Sequence, residues 1–265
     1  MTAIALTIAG SDSGGGAGIQ ADIKTFSALG VYAASVITAI TAQNTKGVTA
    51  VEDISVSTIS AQMDAVFSDL KVNAVKIGMV SRTETIEAIA ARLRVQHQPV
   101  VLDPVMVATS GDRLLHQDAI QKLRQQLLPI ATIVTPNLPE AALLTGRPLA
   151  ASKHEIIEQA EAILKVGAKA VLIKGGHSTG EESTDYLFTD GAMHALSAAR
   201  LETKNDHGTG CTLAAAITAY LALGHQLHDA VGLAKDYLHG ALEAGRDLAV
   251  GQGRGPVHHF YRMWR

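Results

Sequence analysis

Short aliphatic and β-branched runs recur along this chain. Each ends in a polar or glycine-rich cluster, and a segment of helical periodicity follows. Thr2–Ala9 leads into the loop Gly10-Ser11-Asp12-Ser13-Gly14-Gly15-Gly16-Ala17-Gly18. Ile19–Leu29 comes next, with Ile19, Ile23, Phe26 and Leu29 on one face and Gly30 closing it. Val72–Ile77 reads as a short apolar strand before the helix Thr83–Val95. Pro99–Leu102 ends at Asp103-Pro104 and precedes the helix Asp118–Leu128. Thr132–Val134 ends at Thr135-Pro136-Asn137, with helices Leu138–Leu144 and Lys153–Val166 after it, and Ala170–Ile173 ends at Lys174-Gly175-Gly176-His177. Strands that alternate with helices require an α/β fold, a mostly parallel sheet covered on both faces. Ligands bind such sheets beyond the carboxyl ends of the strands, where these clusters fall.

The remaining segments fit the same layout. Tyr32–Thr41 and Val48–Ile54 are extended, and a helix runs from Ser57 to about Leu70. Tyr186–Leu201 is expected to form a hairpin around Thr189-Asp190-Gly191. Helices over Thr209–Leu223 and Leu227–Ala249 precede a glycine-rich, basic tail. With no linker or clear repeat, residues 1–265 are expected to form a single domain. Hydrophobic residues make up 47% of the chain and charged residues 18%, enough for a sizeable core. A net charge of −3 without a basic tract argues against broad nucleic-acid binding but not against a local phosphate site. The single cysteine excludes an internal disulfide framework. Apolar stretches fall short of a membrane span, and the N-terminus lacks the basic start of a signal peptide, so no membrane association and a cytoplasmic location are expected.

The run His207-Gly208-Thr209-Gly210-Cys211 opens the helix Thr209–Leu223. A helix start carries unpaired N–H groups and a partial positive charge, and glycines let the backbone approach an anion closely. A cysteine there has its thiolate favoured, so one stretch offers an anion cradle and a proton acceptor. The bland alternative is a small-residue turn with an inert cysteine. The first glycine-rich loop is neither a clean G-x-G-x-x-G nor a phosphate loop with Gly-Lys-Ser/Thr. Gln43-Asn44 stands where an acidic ribose ligand would be needed, which leaves a small-substrate loop.

Carboxamides such as Gln43 and Asn44 suit an aminopyrimidine or pyridine edge, and equally a polar loop cap. Asp22 lies near a helix start, where an acid is favoured anyway. Asn137 and Glu140, at i and i+3, fit either an oxygen-rich Mg²⁺ and phosphate site with Asp103 or a capping box. Lys174 reads as a phosphate partner or as a solvated lysine before a turn. His207 reads as shaping the anion turn. Among the eleven histidines there is no zinc-type spacing.

Taken together, these motifs, with Lys76-Ile77-Gly78-Met79 and Asp103-Pro104-Val105-Met106, resemble the hydroxymethylpyrimidine/phosphomethylpyrimidine kinases of thiamine biosynthesis, in order and over nearly the whole chain. The resemblance implies a three-layer ribokinase-like fold and usually a homodimer. It also implies MgATP-dependent phosphorylation of 4-amino-5-hydroxymethyl-2-methylpyrimidine to the monophosphate and then the diphosphate. A pyridoxal/pyridoxine kinase of the same subfamily is the alternative. Gln43, Gly10, Asp22, Met79 and Val105 then fall in the substrate pocket. Lys174, Asn137, Glu140 and His207 fall on the nucleotide side. Asp103, Asn137 and Glu140 are implied around Mg²⁺ through water. Gly208, Thr209 and Gly210 form the anion hole, and Cys211 stands where sugar kinases carry an aspartate base. Asp206 departs from the pattern, which has a small neutral residue there; its charge would repel phosphate unless it points away.

Overall fold

The computed structural model describes residues 2–106, 117–176 and 180–264; His177 of the Lys174–His177 cluster lies outside the described residues. Among the described residues nine strands form one sheet: β1 (Ile4–Asp12), β2 (Tyr32–Asn44), β3 (Gly47–Asp53), β4 (Ala74–Ile77), β5 (Val100–Leu102), β6 (Ile133–Val134), β7 (Val171–Ile173), β8 (Glu182–Thr189) and β9 (Ala192–Ala199). Their order is β3-β2-β1-β4-β5-β6-β7-β8-β9. The six strands from β2 to β7 in that order pair in parallel, while β3 at one edge and β8–β9 at the other are antiparallel.

The helices divide between the two faces. One face carries α2 (Val56–Asp69), α3 (Thr83–Leu93), α4 (Gln117–Gln126), α5 (Leu138–Thr145) and α6 (Lys153–Leu164). Leu6, Ile8, Val75 and Ile77 of the sheet pack there with Ile59, Met63, Ile86, Ile89, Leu123 and Ile163. The other face carries α1 (Gly18–Ala28), α7 (Thr209–Ala222) and α8 (Leu227–Ala244). Phe26, Leu213, Ile217 and Tyr237 meet Ala5, Val101, Ile133 and Leu172 on this side. The central strands are thus buried on both faces and read as continuous apolar runs. This is the three-layer architecture implied by the resemblance.

Several boundaries differ from the sequence expectation for identifiable reasons. β1 continues through Gly10 to Asp12, because Ser11 and Asp12 resume pairing with β2 after an irregularity at Gly10. β8 begins at Glu182, since the polar stretch Glu182–Asp185 pairs with Leu196–Ala199. Asp190 (φ 52°) and Gly191 (φ 74°) both take the left-handed conformation that a tight hairpin turn needs. α8 ends at Ala244 rather than Ala249, where the Asn205 side-chain amide draws the carbonyls of Gly245, Arg246 and Leu248 out of helical register.

α7 lies over β1, β4 and β5, with Ala214, Ala215 and Ala216 fully buried against the sheet. Its small residues permit that close approach and bring its N-terminus to the carboxyl ends of the central strands.

Candidate active site

The carboxyl ends of the strands and the start of α7 enclose a cavity of about 590 Å³. That volume suits a small-molecule ligand. Gly10, Gln43, Met79, Asp103, Val105, Asn137, Glu140, Lys174 and the whole run His207–Cys211 line it. The residues expected at the site from the sequence face this one space, with the exceptions of Asp22 and Asn44.

Gly208 is the N-cap of α7, and among the described residues no side chain caps the helix start. Gly208 has φ +81°, and a Cβ there would lie 1.9 Å from the Gly16 carbonyl oxygen, so the anion turn and the first glycine-rich loop interlock at a position that admits only glycine. A Cβ on Gly210 would lie 3.4 Å from Lys174 Nζ, which places that ammonium against the turn.

Cys211 lies in the first turn of α7, where the Gly18 amide favours its thiolate. Burial pushes its thiol up to about 11, although Lys76 nearby pulls the other way. The expected drop towards neutrality is therefore absent: enclosure outweighs the lysine. Lys76 itself lies in the all-buried strand β4 and donates to both oxygens of Asp22, at 2.9 and 3.0 Å. Thr7 Oγ1 donates to the same carboxylate at 2.6 Å. Burial raises the Asp22 pKa and by itself would lower that of Lys76. At Lys76, however, the Asp22 carboxylate prevails and raises it. The three short hydrogen bonds to one carboxylate assign the ion pair as the resting state. Asp22 thus does not line the cavity as expected; it lies one turn into α1, as the sequence suggests. It stands behind Lys76, which is the residue that reaches the cavity.

Lys174 follows β7, with Nζ 2.9 Å from Asp103 Oδ1 and 3.8 Å from Glu140 Oε2. Burial alone would lower its pKa; the two carboxylates raise it. Asn137 and Glu140 form the capping box of α5, Asn137 Oδ1 accepting from the Glu140 amide at 2.9 Å and Glu140 Oε2 from the Asn137 amide at 2.8 Å. Burial raises the Glu140 carboxyl to about 7, against the pull of Lys174 and with the charge of Asp103 adding to the rise. Among the described residues no three His, Cys, Asp or Glu side chains converge to hold a metal. With Lys174 between Asp103 and Glu140, the donor set does not form an all-protein cage. It fits an ion that keeps its waters and takes its other ligands from phosphate, the habit of Mg²⁺.

His207, expected on the nucleotide side, makes its contacts elsewhere. Its Nε2 lies 3.0 Å from Asp12 Oδ2 and 3.3 Å from Gln43 Nε2. Gln43 Oε1 also accepts from Thr41 Oγ1 at 3.0 Å. Asn44 caps the β2–β3 turn through the Lys46 amide and does not line the cavity. Asp206 is resolved by Arg254, whose Nε donates to Oδ1 at 2.8 Å and whose terminal nitrogen donates to Oδ2. The carboxylate beside the anion turn is therefore paired.

Sequence reasoning missed four participants. Asp12 organises the glycine-rich loop, accepting from the amides of Gly14, Gly16 and Ala17. Burial opposes its charge, but His207 and these amides hold its carboxyl below the usual range. The Asp-Ser-Gly spacing is that of an Asx turn and could have identified it. Lys76 had a signal too, a lone charge inside an apolar strand. Lys235 of α8, bonded to Asp185 Oδ2 at 2.8 Å, and Arg254 carry no local signal.

The sequence profile of the phosphomethylpyrimidine kinase family matches residues 12–258. The chain belongs to this family. A hydroxymethylpyrimidine/phosphomethylpyrimidine kinase of Rhizobium meliloti is 66% identical over 265 residues, covering 100% of both chains. One from Escherichia coli is 52% identical over 261 residues, 98% of each. Among solved structures, a pyridoxal kinase of Staphylococcus aureus in complex with AMP-PCP and pyridoxal superposes with a TM-score of 0.91 at 33% identity, over 99% of this chain and 95% of that one. The fold is ribokinase-like, and the chain, as a member of this kinase family, is a phosphotransferase.

Proposed function

We propose that this kinase transfers the γ-phosphoryl group of ATP to the hydroxymethyl oxygen of 4-amino-5-hydroxymethyl-2-methylpyrimidine, and then a second one to the resulting monophosphate, as a step of thiamine biosynthesis. One observation carries the reading. The uncapped start of α7 stands between a carboxamide–imidazole pair, Gln43 and His207, and an ammonium, Lys174, all facing one cavity. The pyrimidine ring lies at the Gln43 end, against Met79 and Val105, with its ring nitrogen and amino group on the amide of Gln43. The triphosphate lies towards Lys174. The transferring phosphoryl meets the N–H groups of Gly210 and Cys211, where negative charge develops. Mg²⁺, held through water by Asp103, Asn137 and Glu140, would neutralise the phosphate oxygens. Cys211 takes the proton of the hydroxymethyl group as its oxygen attacks. Lys76, held charged by Asp22, favours the thiolate form that accepts this proton, and the transfer leaves Cys211 as the neutral thiol.

We read residues 1–265 as one kinase domain, supported by the single sheet, and as a cytoplasmic homodimer with no membrane or nucleic-acid partner. Among the described residues no helix is long and apolar enough to cross a membrane. Release of ADP with the pyrimidine alcohol and its monophosphate, assayed beside pyridoxal, tests the substrate. Turnover of pyridoxal alone would establish the alternative.

A further inference from the structure

The two phosphoryl acceptors differ in charge: the first is a neutral alcohol, the second its dianionic monophosphate. The cavity must therefore supply a cation in the second step that the first does not need. Among the described residues three lysines, Arg200 and Arg254 face it; each lysine is held by an enclosed carboxylate, and Arg200 is tied to the carbonyls of Gly176, Gly180 and Glu182. Lys76 pairs with Asp22, Lys174 with Asp103, and Lys235 with Asp185. The Arg254–Asp206 pair is different. Both residues line the cavity, but Arg254 is 55% exposed and Asp206 29%. The exposure of its guanidinium leaves this pair, unlike the enclosed ones, open to an incoming anion. Its backbone is nonetheless fixed. The Arg254 amide donates to the Thr45 carbonyl at 2.9 Å, and the neighbouring Gly255 carbonyl accepts from the His207 amide at 2.9 Å. The guanidinium is thus an exposed head on a hydrogen-bonded mount, beside the Gln43–His207 end of the cavity. Its planar fork, now spread over two carboxylate oxygens, matches two oxygens of a phosphate equally well.

We propose that Arg254 is the specificity residue for the second phosphorylation. It leaves Asp206 to take the phosphate of the pyrimidine monophosphate, and Asp206 parks it while the neutral alcohol is bound. The proposal rests on the pyrimidine occupying the Gln43 end.

The test assays the two acceptors separately on Arg254→Gln, Arg254→Lys and Asp206→Asn, with monophosphate binding measured by calorimetry without nucleotide. Arg254→Gln is expected to lower kcat/KM for the monophosphate by on the order of 10- to 100-fold more than for the alcohol, the scale of a hydrogen bond to a charged group. The loss should sit in KM and in the calorimetric affinity. Arg254→Lys should recover part of it, because the charge returns without the fork. Asp206→Asn, which removes the competitor, should tighten monophosphate binding. Equal losses on both acceptors, or an unchanged monophosphate affinity in Arg254→Gln, would overturn the proposal. So would weaker monophosphate binding in Asp206→Asn. A wild-type enzyme that uses neither acceptor would instead refute the substrate assignment. Melting temperatures of all three variants separate these outcomes from misfolding.

Discussion

The thiol of Cys211 gives the sharpest test of the reaction. Burial raises it to about 11. At pH 7.5 roughly one molecule in 3,000 then carries the thiolate, from the distance between pH and pKa. If that thiolate is the base for the alcohol, kcat/KM for the first phosphorylation depends on the deprotonated form of the free enzyme. It should rise about tenfold per pH unit from about pH 7 to about 10, with no plateau near neutrality. The second phosphorylation uses a phosphate oxygen whose ionisation, near pH 6, is complete by about pH 7.5. Its profile should be flat over the same range. Cys211→Ala should abolish the slope of the first profile and cost about 10²–10⁴ at its upper end, the usual scale of general-base loss. The second step should lose far less. The assay is initial ADP release on each acceptor between pH 6.5 and about 10, with circular dichroism checking the fold at each end. A first-step profile that levels off near neutrality, or equal losses in the two steps, would show that Cys211 only walls the anion turn.

Three further perturbations separate roles that share a residue. Gln43→Ala should raise KM for the pyrimidine strongly, by a loss of about 1–3 kcal/mol per unpaired ring group, while KM for ATP stays near wild type; matched losses for both would place the ring elsewhere. Glu140→Gln keeps an oxygen for the Asn137 amide, so the melting temperature should change little while the Mg²⁺ concentration needed for half-maximal rate rises; early melting with normal Mg²⁺ dependence would leave Glu140 as a cap only. Lys76→Met strands the Asp22 carboxylate in a fully buried site and should cost about 3–5 kcal/mol in urea unfolding. Asp22, already raised by burial, then rises further, so the deficit should shrink as pH falls and the acid takes a proton. A wild-type urea midpoint at pH 7.5 would mean the pair contributes nothing.

The parts of this site that could be read from the sequence are those built from backbone. The glycine-rich loop, the strand ends at Asp103, Asn137 and Lys174, and the turn before Cys211 are local, and local turn chemistry determines them. Residues whose role depends on a partner far along the chain were misread or missed. Asp22 sits near a helix start, which suggested a dipole effect, yet its partner Lys76 lies 54 positions away on another strand. His207 belongs by sequence to the anion turn, but its side chain is set by Asp12, 195 positions earlier. The concern over Asp206 was sound as electrostatics and was answered by Arg254, in a tail with no secondary structure to predict. The fold shows the same division. Element types followed from periodicity, whereas the ends of β1, β8 and α8 were set by pairing and by Asn205, which one stretch of sequence cannot reveal.

The ion pairs around the cavity are graded by burial, and the grading matches what each would have to do. The Lys76–Asp22 side chains are 0% exposed, so no ligand can exchange into that pair; it can act only as a fixed field behind Cys211. Lys174 is 14% exposed against 2% for Asp103, which lets its ammonium reach an incoming phosphate while its carboxylate partner stays behind it. Asp103 and Glu140 flank that ammonium on opposite contacts. A polyphosphate drawing Lys174 forward would leave two carboxylates uncompensated, and a divalent cation with its waters is the species that restores the balance. Binding of nucleotide and of metal would then reinforce each other through Lys174, a coupling that reads the same from either ligand. Replacing Lys174 with Met should therefore weaken nucleotide binding in Mg²⁺ and also reduce the benefit that Mg²⁺ confers. Calorimetry of ATP with and without Mg²⁺ on the wild type and the variant measures that coupling. An undiminished Mg²⁺ effect in the variant would place the cation away from Asp103 and Glu140.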